Sequence, residues 1–255
     1  MTAEIPAALF APIDDPWSQA MAEALPPGSL FIPCPGDLPD RWLDAAPHAR
    51  TIIRHRAFVS NTDLDRVVRA RRSGWTARLV LCVGSSARYG LLQRWSGIAD
   101  AILPESTAIE TLPRHLDPHD VPPLPDAAGA PVAILSALTE MRTLLTDALR
   151  SGGYTPVIQA PGPVPDPASV GRRLPLVWDV PVLDPAWPDR LRLLATSNRP
   201  ILALLGLADR ELVHQARDAG ANACLDLPCD PGDLLHVLAR LLILQAPLHD
   251  NPPTS

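Results

Sequence analysis

ILALLGLADRELVHQARDAGANACLDLPCDPGDLLHVLARLL, residues Ile201 to Leu242, decides the fold. Its opening run Ile201–Leu205 is apolar throughout and too short for a buried helix, so it predicts a strand. Asp209–Ala219 then puts Leu212, Val213 and Ala216 on one face and Arg210, Glu211 and Arg217 on the other, the period of an amphipathic helix, which stops at Gly220. Ala223–Leu227 is a second apolar strand. A last helix runs from Pro231 to about Leu244, with Asp230 as N-cap and Pro231 at its first position. Strand and helix alternating through short connections predict βα units around a parallel sheet.

The same order extends upstream. Val132–Leu135, Tyr154–Gln159 and Leu174–Val180 read as strands, with helices over Thr139–Arg150 and Pro188–Ala195 and a Pro/Gly-rich loop before Leu174. Further back, strands near Ala8–Pro12, Ser29–Ile32, Thr51–Ile53, Leu79–Val83 and Asp100–Leu103 alternate with helical patterns. Five βα units therefore occur twice. LVLCVG ending at Gly84 matches ILALLG ending at Gly206, and Gly97–Pro104 runs parallel to Gly220–Pro228, as a duplication would leave it. HLDPHDVPPLPDAAGAP, between His115 and Pro131, concentrates proline, aspartate and glycine without hydrophobic periodicity. The expected organisation is a domain over 1–117, a linker over 118–130, a second domain over 131–247 and a disordered tail over 248–255.

Composition narrows the function. The net charge of −6 leaves no basic excess to neutralise phosphates, which argues against a non-specific nucleic-acid binder and towards protein partners. All 22 basic residues are arginine, so lysine Schiff bases, a P-loop lysine and a lysine general base are excluded. Cys34, Cys82, Cys224 and Cys229 lack zinc-site spacing, and the seven histidines show no ligand spacing, so no metal or cofactor is expected. No apolar run is long enough for a membrane span and no leader pattern opens the chain, so the expected compartment is the cytoplasm. Gly84-Ser85-Ser86 is not a nucleophile elbow, and no glycine-rich phosphate loop follows a first strand.

The stretch Ile201–Leu242 resembles the fourth strand through last helix of a response-regulator receiver, above all in Ala219-Gly220-Ala221, Leu227-Pro228 and the Asp230-Pro231-Gly232-Asp233-Leu234 helix entry. The resemblance implies two flavodoxin-like (CheY-like) doubly wound α/β domains, each a five-stranded parallel sheet flanked by helices. It also implies a phosphoacceptor aspartate at the end of the third strand, a position that Asp179 matches. The acidic pair that would hold Mg²⁺ falls on Ser136 and Ala137, with Glu140 a turn too far on. The hydroxyl that would read the phosphoryl group falls on Leu205 or Gly206, and the lysine on Leu227. An aspartyl phosphate there would lack its usual partners.

In the first half the third strand ends near Arg54-His55-Arg56, so a basic cluster stands where the phosphoacceptor would be. It reads either as an anion or nucleotide site at the sheet's ligand rim or as a solvated loop. Asp14 and Asp15 suggest an acidic pair, but matching the halves puts Pro12-Ile13 there, and Asp15 reads as the cap of a helix opened by Pro16. Arg71-Arg72 ends a helical pattern, where cations suit the dipole. In the last helix Leu234, Leu238, Leu241 and Leu242 offer more apolar surface than one sheet face obviously covers, which suggests either pairing of two copies, a partner-docking face, or cover from the other half.

These readings converge on a non-catalytic signalling or scaffold protein: two pseudo-receivers acting by phosphorylation-independent contact with proteins, a histidine kinase or other signalling protein among them. Two alternatives stay open. One is a phospho-accepting regulator working through Asp179; the other is a two-domain cleft enzyme of the uroporphyrinogen-III synthase type.

Overall fold

A computed structural model describes residues 5–34, 36, 38–56, 60–85, 87, 89–116, 129–159 and 174–245. Most of the expected linker, the Pro/Gly-rich loop over 160–173 and the expected tail lie outside the described residues. Two compact units emerge. The first comprises Met1–Asp120 together with Leu207–Val213, the second Val121–Gly206 and His214–Ser255.

In the first unit the elements run β1 (Ile5–Ala11), α1 (Pro16–Glu23), β2 (Leu30–Pro33), α2 (Trp42–Ala45), β3 (Ala49–Arg56), α3 (Asn61–Arg72), β4 (Arg78–Val83), α4 (Tyr89–Trp95), β5 (Ala101–Pro104) and α5 (Ala108–Leu116). All strand pairs are parallel, in the order β2-β1-β3-β4-β5. Such a sheet is covered on both faces, which is why β1 and β4 read as continuous apolar runs and not as alternating ones. One face packs Phe10, Ile52 and Leu81 with Trp42, Leu64 and Trp95; the other packs Leu9, Ile53 and Val80 with Met21, Ala108 and Leu112. Helix α3 starts where the Ser60 hydroxyl accepts the Asp63 N–H at 3.1 Å, and it ends on Arg69, Arg71 and Arg72, cations at the negative end of the dipole.

The chain continues through β6 (Pro131–Leu135), α6 (Thr139–Ser151), β7 (Thr155–Gln159), β8 (Leu176–Asp179), α7 (Trp187–Ala195), β9 (Ile201–Gly206), α8 (Arg210–Asp218), β10 (Ala223–Leu227) and α9 (Pro231–Gln245). The second sheet is again all parallel, in the order β10-β9-β8-β6-β7. Numbered within each half, both sheets follow 2-1-3-4-5. In that order the chain reverses direction across the sheet between the first and third strands, and the connections leaving them part to open a crevice at their carboxyl ends.

Two expectations are corrected here. Arg54 and His55 do not lie in a solvated loop: β3 runs on to Arg56, and both side chains are only 1% exposed. The α9 leucines do not form an outward face. Leu234, Leu238 and Leu241 are buried and Leu242 packs beside them, against Val132, Ile134, Val177, Leu202, Leu204 and Leu225 of the sheet and Leu145 and Leu149 of α6. One sheet face plus a neighbouring helix absorbs the apolar surface of α9 within its own unit.

Candidate functional site

In the first unit, three side chains converge at the carboxyl edge of the sheet. Asp15 follows β1, His55 lies near the end of β3, and Glu105 follows β5. Arg210 reaches into this cluster. Its Nη1 and Nη2 donate to the two Asp15 oxygens at 2.5 and 3.1 Å, while Nε and Nη2 donate to the Glu105 oxygens at 3.1 and 2.9 Å. His55 Nε2 stands 3.0 Å from Glu105 Oε2, and its Nδ1 lies 3.0 Å from the hydroxyl of fully buried Ser18. Ser18 donates its proton to Asp15 at 3.0 Å, which closes the ring of contacts. The guanidinium also lies 5.6 Å from the Trp17 ring centroid.

The charges fix one another. Burial pushes the Asp15 carboxyl up, but hydrogen bonding and charge from Arg210, with Ser18 and His55, bring it below its ordinary value. Glu105 behaves alike: burial raises it, and hydrogen bonds from His55 and Arg210 with their charges lower it further than burial lifts it. Burial disfavours the Arg210 charge, yet its bonds to Asp15 and Glu105 hold it above the usual arginine range. Beneath them, burial and the Glu105 charge push the Cys82 thiol up to about 12.

Asp15 is thus the N-cap residue of α1 by position, but its side chain makes no cap bond, because Arg210 and Ser18 occupy it. The basic cluster also turns inward. Arg54 donates to the carbonyls of Phe10 and Gly36, with Asp63 at 3.7 Å from its Nε, and the side chain of Arg56 lies outside the described residues. Sequence reading missed Glu105, Ser18 and Arg210. Glu105 left a signal, an acid directly after the proline that closes the fifth strand.

The second unit places its candidates along the corresponding edge. Ser136 directly follows β6 and is buried; Asp179 ends β8. The Ser136 hydroxyl lies 2.6 Å from Asp179 Oδ2 and accepts the Leu138 N–H at 3.0 Å, while Arg142 donates to the Ser136 carbonyl at 3.0 Å. Asp179 is paired in register with Leu204, and Gly206 with Leu227, so the positions of phosphoacceptor, hydroxyl and lysine do come together. Their side chains are wrong for the chemistry. Leu205 is fully buried, Gly206 has no side chain, Leu227 packs on the core, and Ala137 offers a methyl.

Each half is a doubly wound, flavodoxin-like α/β domain with a five-stranded parallel sheet. In the second half the 2-1-3-4-5 strand order brings Asp179 to one edge of the sheet with Ser136, Ala137, Gly206 and Leu227 where the resemblance expects an acidic pair, a hydroxyl and a lysine. No family model matches the chain, and no curated protein matches it by sequence. Several solved structures are similar to this chain at low identity. A response regulator from Thermotoga maritima is 14% identical over 45% of this chain and 98% of its own, with a TM-score of 0.40. The Vibrio cholerae chemotaxis protein CheY4 is 21% identical over 45% and 99%, with a TM-score of 0.38. A putative two-component response regulator/GGDEF-domain protein covers 93% of this chain and 98% of its own at 11% identity, with a TM-score of 0.39.

The receiver resemblance implies a Mg²⁺ site, and the described residues of neither domain fit one. Mg²⁺ needs oxygens free to complete an octahedron. In the first domain the oxygens of Asp15 and Glu105 are bonded to a guanidinium, and in the second the described partner of Asp179 is the Ser136 hydroxyl, with no second carboxylate beside it among the described residues. Among the described residues no group of three His, Cys, Asp or Glu is arranged to hold a metal, and no helix is long and apolar enough to cross a membrane.

Proposed function

We propose that this chain is a non-catalytic signalling or scaffold protein whose two pseudo-receivers act in the cytoplasm by contact with other proteins, independently of phosphorylation. The observation that carries the reading is that the chain's own side chains fill both crevices. Arg210 neutralises Asp15 and Glu105 in one, and Ser136 is bonded to Asp179 in the other. A receiver switches when an added phosphoryl charge recruits a hydroxyl and a cation that were apart. Here one cluster already holds its cation, and in the other Leu205, Gly206 and Leu227 stand at the positions the resemblance gives to the hydroxyl and the cation. A receiver-like fold whose site is already occupied by its own side chains supports surface recognition as its means of signalling, with proteins of two-component pathways, histidine kinases included, as the partners to screen first.

The test is incubation of the full chain with acetyl phosphate and Mg²⁺, read by intact mass, with Asp179→Asn alongside. No added phosphoryl group is expected on either protein. Stoichiometric phosphorylation of the wild type that is lost in the variant would establish a working receiver and overturn the proposal.

A further inference from the structure

At the opposite, amino-terminal edge of the second sheet lies a cleft of ≈ 410 Å³, lined by Ala195, Asn198, Arg199, Gly220 and Asn222. Two turns build it. After α7 the chain reverses through Asn198 at φ +50, a left-handed position that asparagine tolerates, and its N–H bonds to the Ala195 carbonyl. After α8 it reverses through Gly220 at φ +106, where a Cβ would stand 2.5 Å from that of Ala195. The two turns press together and leave Arg199 beneath them.

Arg199 is 7% exposed, yet among the described residues no carboxylate pairs with it. Its Nη1 reaches the neutral Gln159 Oε1 at 3.4 Å, and its Nε has no hydrogen-bond partner. A buried guanidinium stays charged and is costly without a counter-ion. The first half shows what is missing. Asp100, before β5, accepts the Leu79 N–H at 2.7 Å and also pairs with Arg71 at 3.0 Å. Asn222, before β10, does the same backbone work, accepting the Ile201 N–H at 2.8 Å, but it brings no charge. Across the repeat the carboxylate has become a carboxamide, while the cleft of the second half has an arginine. With Oδ1 engaged, the Asn222 side chain has chiefly N–H donors left to offer beside that guanidinium.

We propose that this cleft is a binding site for a small molecule bearing an oxyanion, a carboxylate or a phosphate, with Arg199 as its counter-ion. The volume admits a metabolite-sized ligand, and the polar side chains lining it offer donors beside a cation. Neither Ser136 nor Asp179 lines it, so the proposal does not rest on the pseudo-receiver reading.

The test follows thermal unfolding and the Arg199 side-chain N–H resonance of the full chain during titration with inorganic phosphate and, separately, succinate, at constant ionic strength. Saturable changes at millimolar concentrations are expected with at least one of them, and which one responds identifies the class. Asn222→Asp restores the carboxylate that the first half carries, and it should cut the response at least tenfold while leaving the fold intact. Arg199→Gln should abolish the thermal response. Wild type unmoved by both anions, or an equal response in Asn222→Asp, would overturn the proposal.

Discussion

The Ser136 hydroxyl and Asp179 Oδ2 stand 2.6 Å apart, a short bond to a carboxylate at the end of the third strand of the second domain. Ser136→Ala removes it along with the acceptor for the Leu138 N–H. The expected loss is about 1–3 kcal/mol, the cost of stranding two polar groups, read by urea denaturation. Beryllofluoride with Mg²⁺ should leave Trp178 fluorescence unchanged in wild type and in Asp179→Asn, because Leu205, Gly206 and Leu227 stand where a responding hydroxyl and cation would be.

Arg210 holds two carboxylates that are themselves mostly buried, with side-chain exposures of 17% for Asp15 and 11% for Glu105. Arg210→Ala leaves both without their principal cation. Breaking a buried pair costs about 3–5 kcal/mol, and the partial exposure of Arg210 brings the expectation to roughly 2–3 kcal/mol by denaturant unfolding.

The acid limb of stability follows from the same contacts. Asp15 and Glu105 titrate lower in the folded chain than their ordinary values of 3.8 and 4.5. Their contribution is therefore complete above those values and is lost as pH falls through the lowered ones. In Arg210→Ala the carboxyls return upward, so its acid-unfolding midpoint, followed by circular dichroism, should lie at higher pH than that of wild type.

Thiol chemistry should be slow. Burial pushes Cys82 up to about 12, and burial with the neighbouring Asp233 charge pushes Cys229 up to about 11. Cys34 and Cys224 are buried as well. Ellman's reagent should label the native chain slowly at neutral pH and all four cysteines at once in denaturant.

Leu238 is 1% exposed in the core beneath α9. Leu238→Ala should cost about 2–5 kcal/mol in urea unfolding and leave the elution volume on gel filtration unchanged. A shift in association state at constant stability would restore the docking face inferred from sequence.

The elements were legible because their signals are local. Ile201–Leu205 and Leu79–Val83 are apolar runs of strand length, and Gly220 marks a helix end wherever it falls. The leucines of α9 misled because periodicity counts apolar residues and says nothing of how much a neighbouring helix covers. Burial of Arg54 depends on Asp63 and on carbonyls from Phe10 and Gly36, none of them near it in sequence except through the fold. Arg210 was harder still. From sequence it is an ordinary charged residue on the polar face of a helix, and its role exists only because three-dimensional structure returns it to Asp15, 195 positions away.

That separation has a consequence for biosynthesis. Glu105 leaves the ribosome 105 residues ahead of Arg210, which at ordinary elongation rates is a delay of about 5–20 s. During that interval the nascent first sheet must either hold two carboxylates without their guanidinium or remain unfinished, and this is when chaperones would find it. An expression fragment cut before Leu207 would be frozen at that same stage.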